Sequence, residues 1–376
     1  MTEPMRAVRK LIPDTGLDVV ELPRPNPGPD DVLVYVEAAS ICGTDLHIWN
    51  WDRWSQRRIK PPLTLGHEFC GTIVSVGENV AHAHVGDYVS AESHVTCGMC
   101  YQCRTGQAHM CPHTSILGVD RDGAFANYVV VPEKVIWQNR RDKLPPTVAT
   151  MQEPFGNAVF ATMNQDMSGE SVCVLGCGPI GLFTIGIAKA VGAKAVFASD
   201  LHPFRIKLAK AMGATEVFNP QDEGDIVSRI VTANGGYGVD IVLEMSGAPA
   251  AITTAFRVVR NGGTVILFGI PSKPVEIDVA ENMIFKNLTV LALNGRRIFD
   301  TWYKTRWLLE SGVVDLSPLM TKTIGFDEIN DAMALLNKGD ACKIVLLPNG
   351  GRPPAITESQ RTRVPDPNIT GTPVHR

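Results

Sequence analysis

Four cysteines lie close together in Cys97-Gly-Met-Cys100-Tyr-Gln-Cys103 and, shortly after, Cys111. Four thiolates at that spacing can surround one tetrahedral Zn²⁺ and leave no position open, which makes a structural clamp rather than a catalyst. On donor chemistry alone the same four could hold an iron–sulfur cluster. A second set lies upstream: Cys42 in Ser40-Ile-Cys42-Gly-Thr44, and His67-Glu68 in Leu65-Gly-His67-Glu68-Phe69. Cysteine, histidine and carboxylate are all competent zinc ligands, and three protein ligands with an exchangeable position make a catalytic metal site. A lone histidine is more often structural; it is the combination that carries weight.

Downstream, Gly176-Cys-Gly178-Pro179-Ile180-Gly181 follows the apolar run Val172–Leu175. Between a strand and a helix this pattern is a dinucleotide fingerprint, with Gly176 for the tight turn, Gly178 for close approach of the pyrophosphate and Gly181 for helix packing. Pro179 suits the first helical turn. Asp200 stands about twenty residues further on, where a carboxylate accepts from ribose hydroxyls and repels a 2′-phosphate, so the expected cofactor is NAD rather than NADP. Arg205 could meet such a phosphate or lie against the adenine face.

Thr44 and His47 can serve a proton relay. A threonine hydroxyl both donates and accepts. Histidine is the residue type that takes up and releases protons near neutrality.

The elements that must position these residues follow from patterning. Residues 5–90 alternate apolar and polar in short runs broken by Gly, Pro and Asp, which predicts a β-rich, barrel-like unit. From about 171, apolar strands alternate with helical stretches, which predicts a parallel, doubly wound sheet. After about 297 the pattern is helical, ending in a strand from Lys343. The residues from Gly350 on are poor in apolar side chains and are expected to form a flexible tail.

The 376 residues suit two domains. With 44% hydrophobic and 20% charged residues the composition is that of a soluble globular protein. A net charge of −4 without basic runs argues against a nucleic-acid partner. No apolar stretch reaches the ~18 residues of a membrane span. Nine cysteines, four at metal spacing and no export signal visible, point to a reducing cytoplasm. Cys70, Cys173, Cys177 and Cys342 are expected to be buried, inert thiols.

Taken together, Cys42-Gly-Thr44, Gly66-His67-Glu68, the four-cysteine lobe and the glycine fingerprint resemble the zinc-dependent medium-chain alcohol dehydrogenases over nearly all of 5–348. The resemblance implies an α/β chain: a GroES-like catalytic domain at 1–155 and 297–348, interrupted by a Rossmann NAD-binding domain at 156–296, with a tail at 349–376. It specifies zinc in the cysteine lobe, giving two Zn²⁺ per chain. Glu153 is implied to reach the catalytic metal directly or from behind its ligands, an ambiguity shared by Glu68, and His94 to approach the active site.

Within that family, Cys42 through Gln56, Glu153-Pro-Phe-Gly-Asn-Ala158, Leu243-Glu-Met-Ser-Gly-Ala248 and Gly295-Arg296 followed by Phe299-Asp-Thr-Trp302-Tyr-Lys304 are similar to the L-threonine 3-dehydrogenase branch. This implies oxidation of L-threonine to L-2-amino-3-oxobutanoate and a homo-oligomer, expected to be a tetramer. It also implies functional coupling to a 2-amino-3-oxobutanoate CoA ligase. Arg296 is the candidate for the substrate carboxylate, since a guanidinium binds one bidentately; its alternatives are a surface arginine and a cofactor-phosphate contact. The rival activities are a polyol or other secondary-alcohol dehydrogenase and a catalytically silent NAD-binding relative.

Overall fold

The computed structural model describes residues 4–222 and 224–356. They form two compact units: one runs through Glu153 and resumes at Met320, and the other is Pro154–Leu319.

The first unit is built on the strand Asp31–Ser40, whose Val32, Leu33, Val34 and Val36 are buried. It pairs antiparallel with Glu68–Val76, with Tyr128–Pro132 and, at its end, with Lys343–Leu346. Ser40 therefore faces Glu68 on one side and Val345 on the other. Tyr88–Ala91 and Ile136–Gln138 extend the sheet beyond Glu68–Val76, and Met320–Ile324 lies beside Lys343–Leu346. Its core is largely Val, Ile, Leu and Phe, including Val34, Phe69, Ile73, Phe125 and Ile344.

A two-stranded ribbon, His94–Val95 with Ser115–Ile116, carries the cysteine lobe. Between its strands lie only a helix of four residues, Tyr101–Arg104, and a 3-10 turn, Ala108–Met110. Met99 and Tyr101 are each at least 75% exposed. A lobe with so little apolar burial needs a cross-link in place of a core.

The second unit is a six-stranded parallel sheet in the order Glu216–Phe218, Ala195–Ser199, Ser171–Leu175, Val239–Glu244, Val259–Leu267, Thr289–Ala292. That is the doubly wound order, whose reversal lies beside the first strand of the unit. Cys173, Phe197, Val242, Phe256 and Val265 fill one face.

Residues 297–319, assigned from sequence to the catalytic domain, lie in this second unit instead. Their packing gives the reason: Val314 reaches Gly186 on the helix Pro179–Ala190, and the turn Ser317–Leu319 packs on the helix Pro203–Ala211. The expected tail begins pinned. Asn349 donates to the carbonyls of Val36 (2.9 Å) and Asn127 (3.0 Å), and Asn127 donates back to Pro348 (2.9 Å). Residues 357–376 of that tail lie outside the described residues. Among the described residues no helix is long and apolar enough to cross a membrane.

Gly66 delivers His67 to its place. Its φ is +92°, and a Cβ there would stand 2.2 Å from the Phe125 ring. Gly66→Ala should destabilise the chain by roughly 3 kcal/mol, from left-handed strain plus overpacking. Denaturant unfolding would reveal this.

Candidate functional site

Cys42 ends the extended segment after Asp31–Ser40 and precedes the helix Gly43–Asn50. Glu68 opens the neighbouring strand, and His67 immediately precedes it. Strand pairing thus joins two sequence-separated pieces, and one ligand atom each from Cys42, His67 and Glu68 lies within 4.8 Å of the others. His67 and Glu68 are buried. His67 Nδ1 and Glu68 Oε1 are buried without a hydrogen-bond partner. Burial opposes charge on His67, yet the negative charges of Cys42, Asp45 and Glu153 hold its proton well above the ordinary histidine range. A pocket that gathers negative charge and leaves a carboxylate oxygen, Glu68 Oε1, unsatisfied fits a divalent cation.

Behind His67 stands Asp45, fully buried, with Oδ1 4.0 Å from Nδ1. Its Oδ2 accepts the Cys42 N–H at 2.9 Å. Burial pushes its carboxyl up to about 6, against the pull of His67. A carboxylate behind a ligating imidazole fixes the ring's orientation and strengthens it as a donor. Sequence reasoning missed Asp45, although its position three residues after Cys42, at the start of a helix, was a visible capping signal.

Glu153 lies with a neighbouring trio. Its carboxylate is within 4.8 Å of donor atoms of Glu92 and His94, and its Oε1 accepts from Ser93 Oγ at 2.6 Å. His94 Nδ1 is 3.1 Å from Glu92 Oε1, and Glu92 also accepts the His94 N–H at 2.9 Å. Glu92 and Ser93 were not foreseen from sequence; they hold His94 and Glu153 in place.

Thr44 Oγ1 is 3.8 Å from Cys42 Sγ. His47, on the next turn, is exposed, with Nδ1 2.6 Å from Asp52 Oδ2. The other oxygen of Asp52 caps the helix Arg53–Arg58, accepting from Trp54 and Ser55 at 3.0 Å each. Slight burial works against the Asp52 charge, but the N–H of Ser55 and the His47 ring outweigh it and hold the carboxyl below its ordinary value.

In the lobe, Cys111 Sγ lies 3.6 Å from Cys97 Sγ and 3.7 Å from Cys100 Sγ, and all four sulfurs fall within 4.8 Å of one another. The N–H groups of Met99 and Cys100 hold the Cys97 thiol below its usual range, which favours the thiolate a metal needs. The other cysteines, Cys70, Cys173, Cys177 and Cys342, are buried, as expected.

In the second unit, Gly176 has φ +96°, and a Cβ on it would collide with Ser246 at 2.6 Å. A Cβ on Gly178, by contrast, would point into open space. Pro179, Ile180 and Gly181 open the helix Pro179–Ala190. Its N-terminus favours a diphosphate. Asp200, at the end of Ala195–Ser199, accepts the N–H groups of Cys177 and His202 at 2.8 Å each. Arg205 Nη1 is 3.9 Å from the same carboxylate. The glycine cradle and the anchored acid fit a dinucleotide. Arg296 is buried, with Nη1 donating to Asn157 Oδ1 at 3.2 Å.

Two domain matches agree with this geometry. Residues 28–141 match the alcohol dehydrogenase GroES-like domain, and 179–311 match the zinc-binding dehydrogenase domain. The chain belongs to the zinc-dependent medium-chain alcohol dehydrogenase family, and zinc and NAD are its cofactors. It is 47% identical to an L-threonine 3-dehydrogenase of Symbiobacterium thermophilum, over 93% of this chain and 99% of that one. It is 43% identical to the protein of that name from Bacillus subtilis, over 92% and 99%. Among solved structures, 2R,3R-butanediol dehydrogenase from Bacillus subtilis superposes with a TM-score of 0.83 at 29% identity, covering 92% of this chain and all of the other.

The cysteine lobe makes a clear expectation. Cys100→Ser should lower bound zinc from about two ions per chain to about one and reduce the melting temperature. Metal analysis beside a thermal melt reads both; two retained zincs would contradict the lobe's assignment.

Proposed function

We propose that this chain oxidises the secondary alcohol of L-threonine to L-2-amino-3-oxobutanoate with NAD⁺ as hydride acceptor. The observation that carries the reading is near-full-length identity of 43–47% to proteins named L-threonine 3-dehydrogenase. Cys42, His67 and Glu68, with Glu153 beside them, would hold the catalytic zinc, and Cys97, Cys100, Cys103 and Cys111 the structural one. When bound, zinc supplies Lewis acidity toward the substrate hydroxyl and NAD⁺ accepts the hydride.

The chain's own residues move the proton. Thr44 sets a hydroxyl beside Cys42, able to accept the alcohol proton and pass on its own. Asp52 fixes His47 by its Nδ1, so Nε2 is the nitrogen left to take that proton, and the exposed ring can release it to water. Asp200 supports NAD over NADP, because a carboxylate bonded to the glycine loop stays in place to meet the ribose and to repel a phosphate. Gly176, Gly178, Pro179, Ile180 and Gly181 would cradle the diphosphate, with Arg205 beside the adenosine end. Arg296 is assigned the substrate carboxylate and His94 the substrate's surroundings. A cytoplasmic homotetramer, coupled in function to a 2-amino-3-oxobutanoate CoA ligase, completes the proposal.

Steady-state NAD⁺ reduction with L-threonine, L-serine, sorbitol and 2,3-butanediol tests the substrate. Turnover should be efficient with L-threonine and abolished by strong chelation; preference for a neutral diol would overturn the assignment. The relay has its own test. Asn caps a helix about as well as Asp, so Asp52→Asn should fold normally yet lower kcat roughly tenfold or more and alter its pH profile. An unchanged profile would remove His47 from the relay.

A further inference from the structure

Lys343 is 1% exposed, deep in the first unit. The pairing of Val345 with Ser40, and of Ser40 with Glu68, brings this residue of the last strand to the metal ligands. Its Nζ donates to the Ile41 carbonyl at 2.9 Å and pairs with Oε2 of Glu68. The Ser40 hydroxyl donates to that same Oε2. The other oxygen, Oε1, is buried with no hydrogen-bond partner. The two halves of one carboxylate are thus treated oppositely: one is doubly anchored and the other is left bare, in a residue that has a carboxylate oxygen within 4.8 Å of donor atoms of Cys42 and His67.

A carboxylate with both oxygens free can close around a metal through both, and its full charge then goes to the ion. That would crowd the position a substrate needs. An ammonium on one oxygen prevents this in two ways. It removes that oxygen as a donor, and it competes for the negative charge. A lysine is a costly residue to bury, and a buried pair is poor evidence of stability by itself. Its placement on a metal-ligand carboxylate gives it a different use.

We propose that Lys343 is a positioning residue of the catalytic metal centre, holding Oε2 of Glu68 so that the carboxylate offers the metal one oxygen and the substrate position stays open. The proposal rests on the reading that Cys42, His67 and Glu68 form that centre.

The test uses full-length protein with cobalt(II) at the open site and zinc kept in the cysteine lobe. In Lys343→Met, Glu68 is released to bind through both oxygens. The visible cobalt bands should weaken, as they do when coordination number rises. Loss of the metal to a chelator should slow by roughly tenfold, the scale on which residues behind metal ligands act. kcat/KM for L-threonine should fall by roughly tenfold, as expected when the substrate's position on the metal is crowded. Lys343→Arg should restore all three. In a Glu68→Gln background, Lys343→Met should add nothing, because the lysine acts through that carboxylate.

An unchanged cobalt spectrum and release rate in folded Lys343→Met overturns the proposal, as does an effect that persists with Glu68→Gln. Should Lys343→Met fail to fold, Ser40→Ala, which removes the other donor to Oε2, decides: weaker bands support the proposal and unchanged bands overturn it. Cys42→Ser separates the two levels of inference. If it leaves the cobalt bands intact, the metal-centre reading itself fails, whatever Lys343 does.

Discussion

Negative charge concentrated in a buried place is the constraint on which the first unit depends. Asp45, Glu68 and Glu153 are almost entirely inaccessible, and Cys42 lies beside them. Carboxylates are tolerated in such surroundings only with counter-charge and hydrogen bonds. Each has its answer. Asp45 takes the Cys42 N–H, Glu153 takes the Ser93 hydroxyl, and Glu68 takes Lys343. The remaining negative charge falls on His67, raising its proton affinity against the opposing effect of burial. A dication offsets that charge, and the strand register around Ser40 exists in a form that keeps the ligands converged on it.

The two donor clusters would put zinc to different uses. The open one draws its donors from strands already held by a large apolar core, so the fold places the donors and an ion would complete the chemistry. The cysteine lobe reverses this. It hangs from a two-stranded ribbon, exposes Met99 and Tyr101, and closes only where its sulfurs meet. There an ion would stand in for a core. The dinucleotide unit needs neither device; a parallel sheet and a glycine turn leave space at Gly178 beside the start of a helix.

What could be read in the sequence was local. Cys97, Cys100, Cys103 and Cys111 announce their site by spacing, and the glycine fingerprint by its strand–turn–helix setting. Cys42, Thr44, His67 and Glu68 could be chosen by residue type and resemblance. What escaped was set by tertiary pairing. Lys343 is 275 residues from Glu68 and reads as an ordinary charge at the start of a strand. Glu92 and Ser93 gain their meaning only from Glu153 across the unit. Asp52, not singled out in the sequence, takes its role from a bond to His47 that only the structure shows. The segment 297–319 was misassigned for the same reason. Its helical pattern states that a face is buried, and only the packing of Val314 and of the Ser317–Leu319 turn states against what.

The account stands most directly on the claim that the chain holds two zinc ions in unlike surroundings, one all-sulfur and one with a single sulfur. X-ray absorption at the zinc edge on fully metallated protein measures this. Five thiolates shared by two ions predict about 2.5 sulfur neighbours per zinc, the rest being nitrogen and oxygen. A value near four, with about one zinc per chain, would mean that Cys42, His67 and Glu68 do not form a metal centre, and the mechanism built on them would fall.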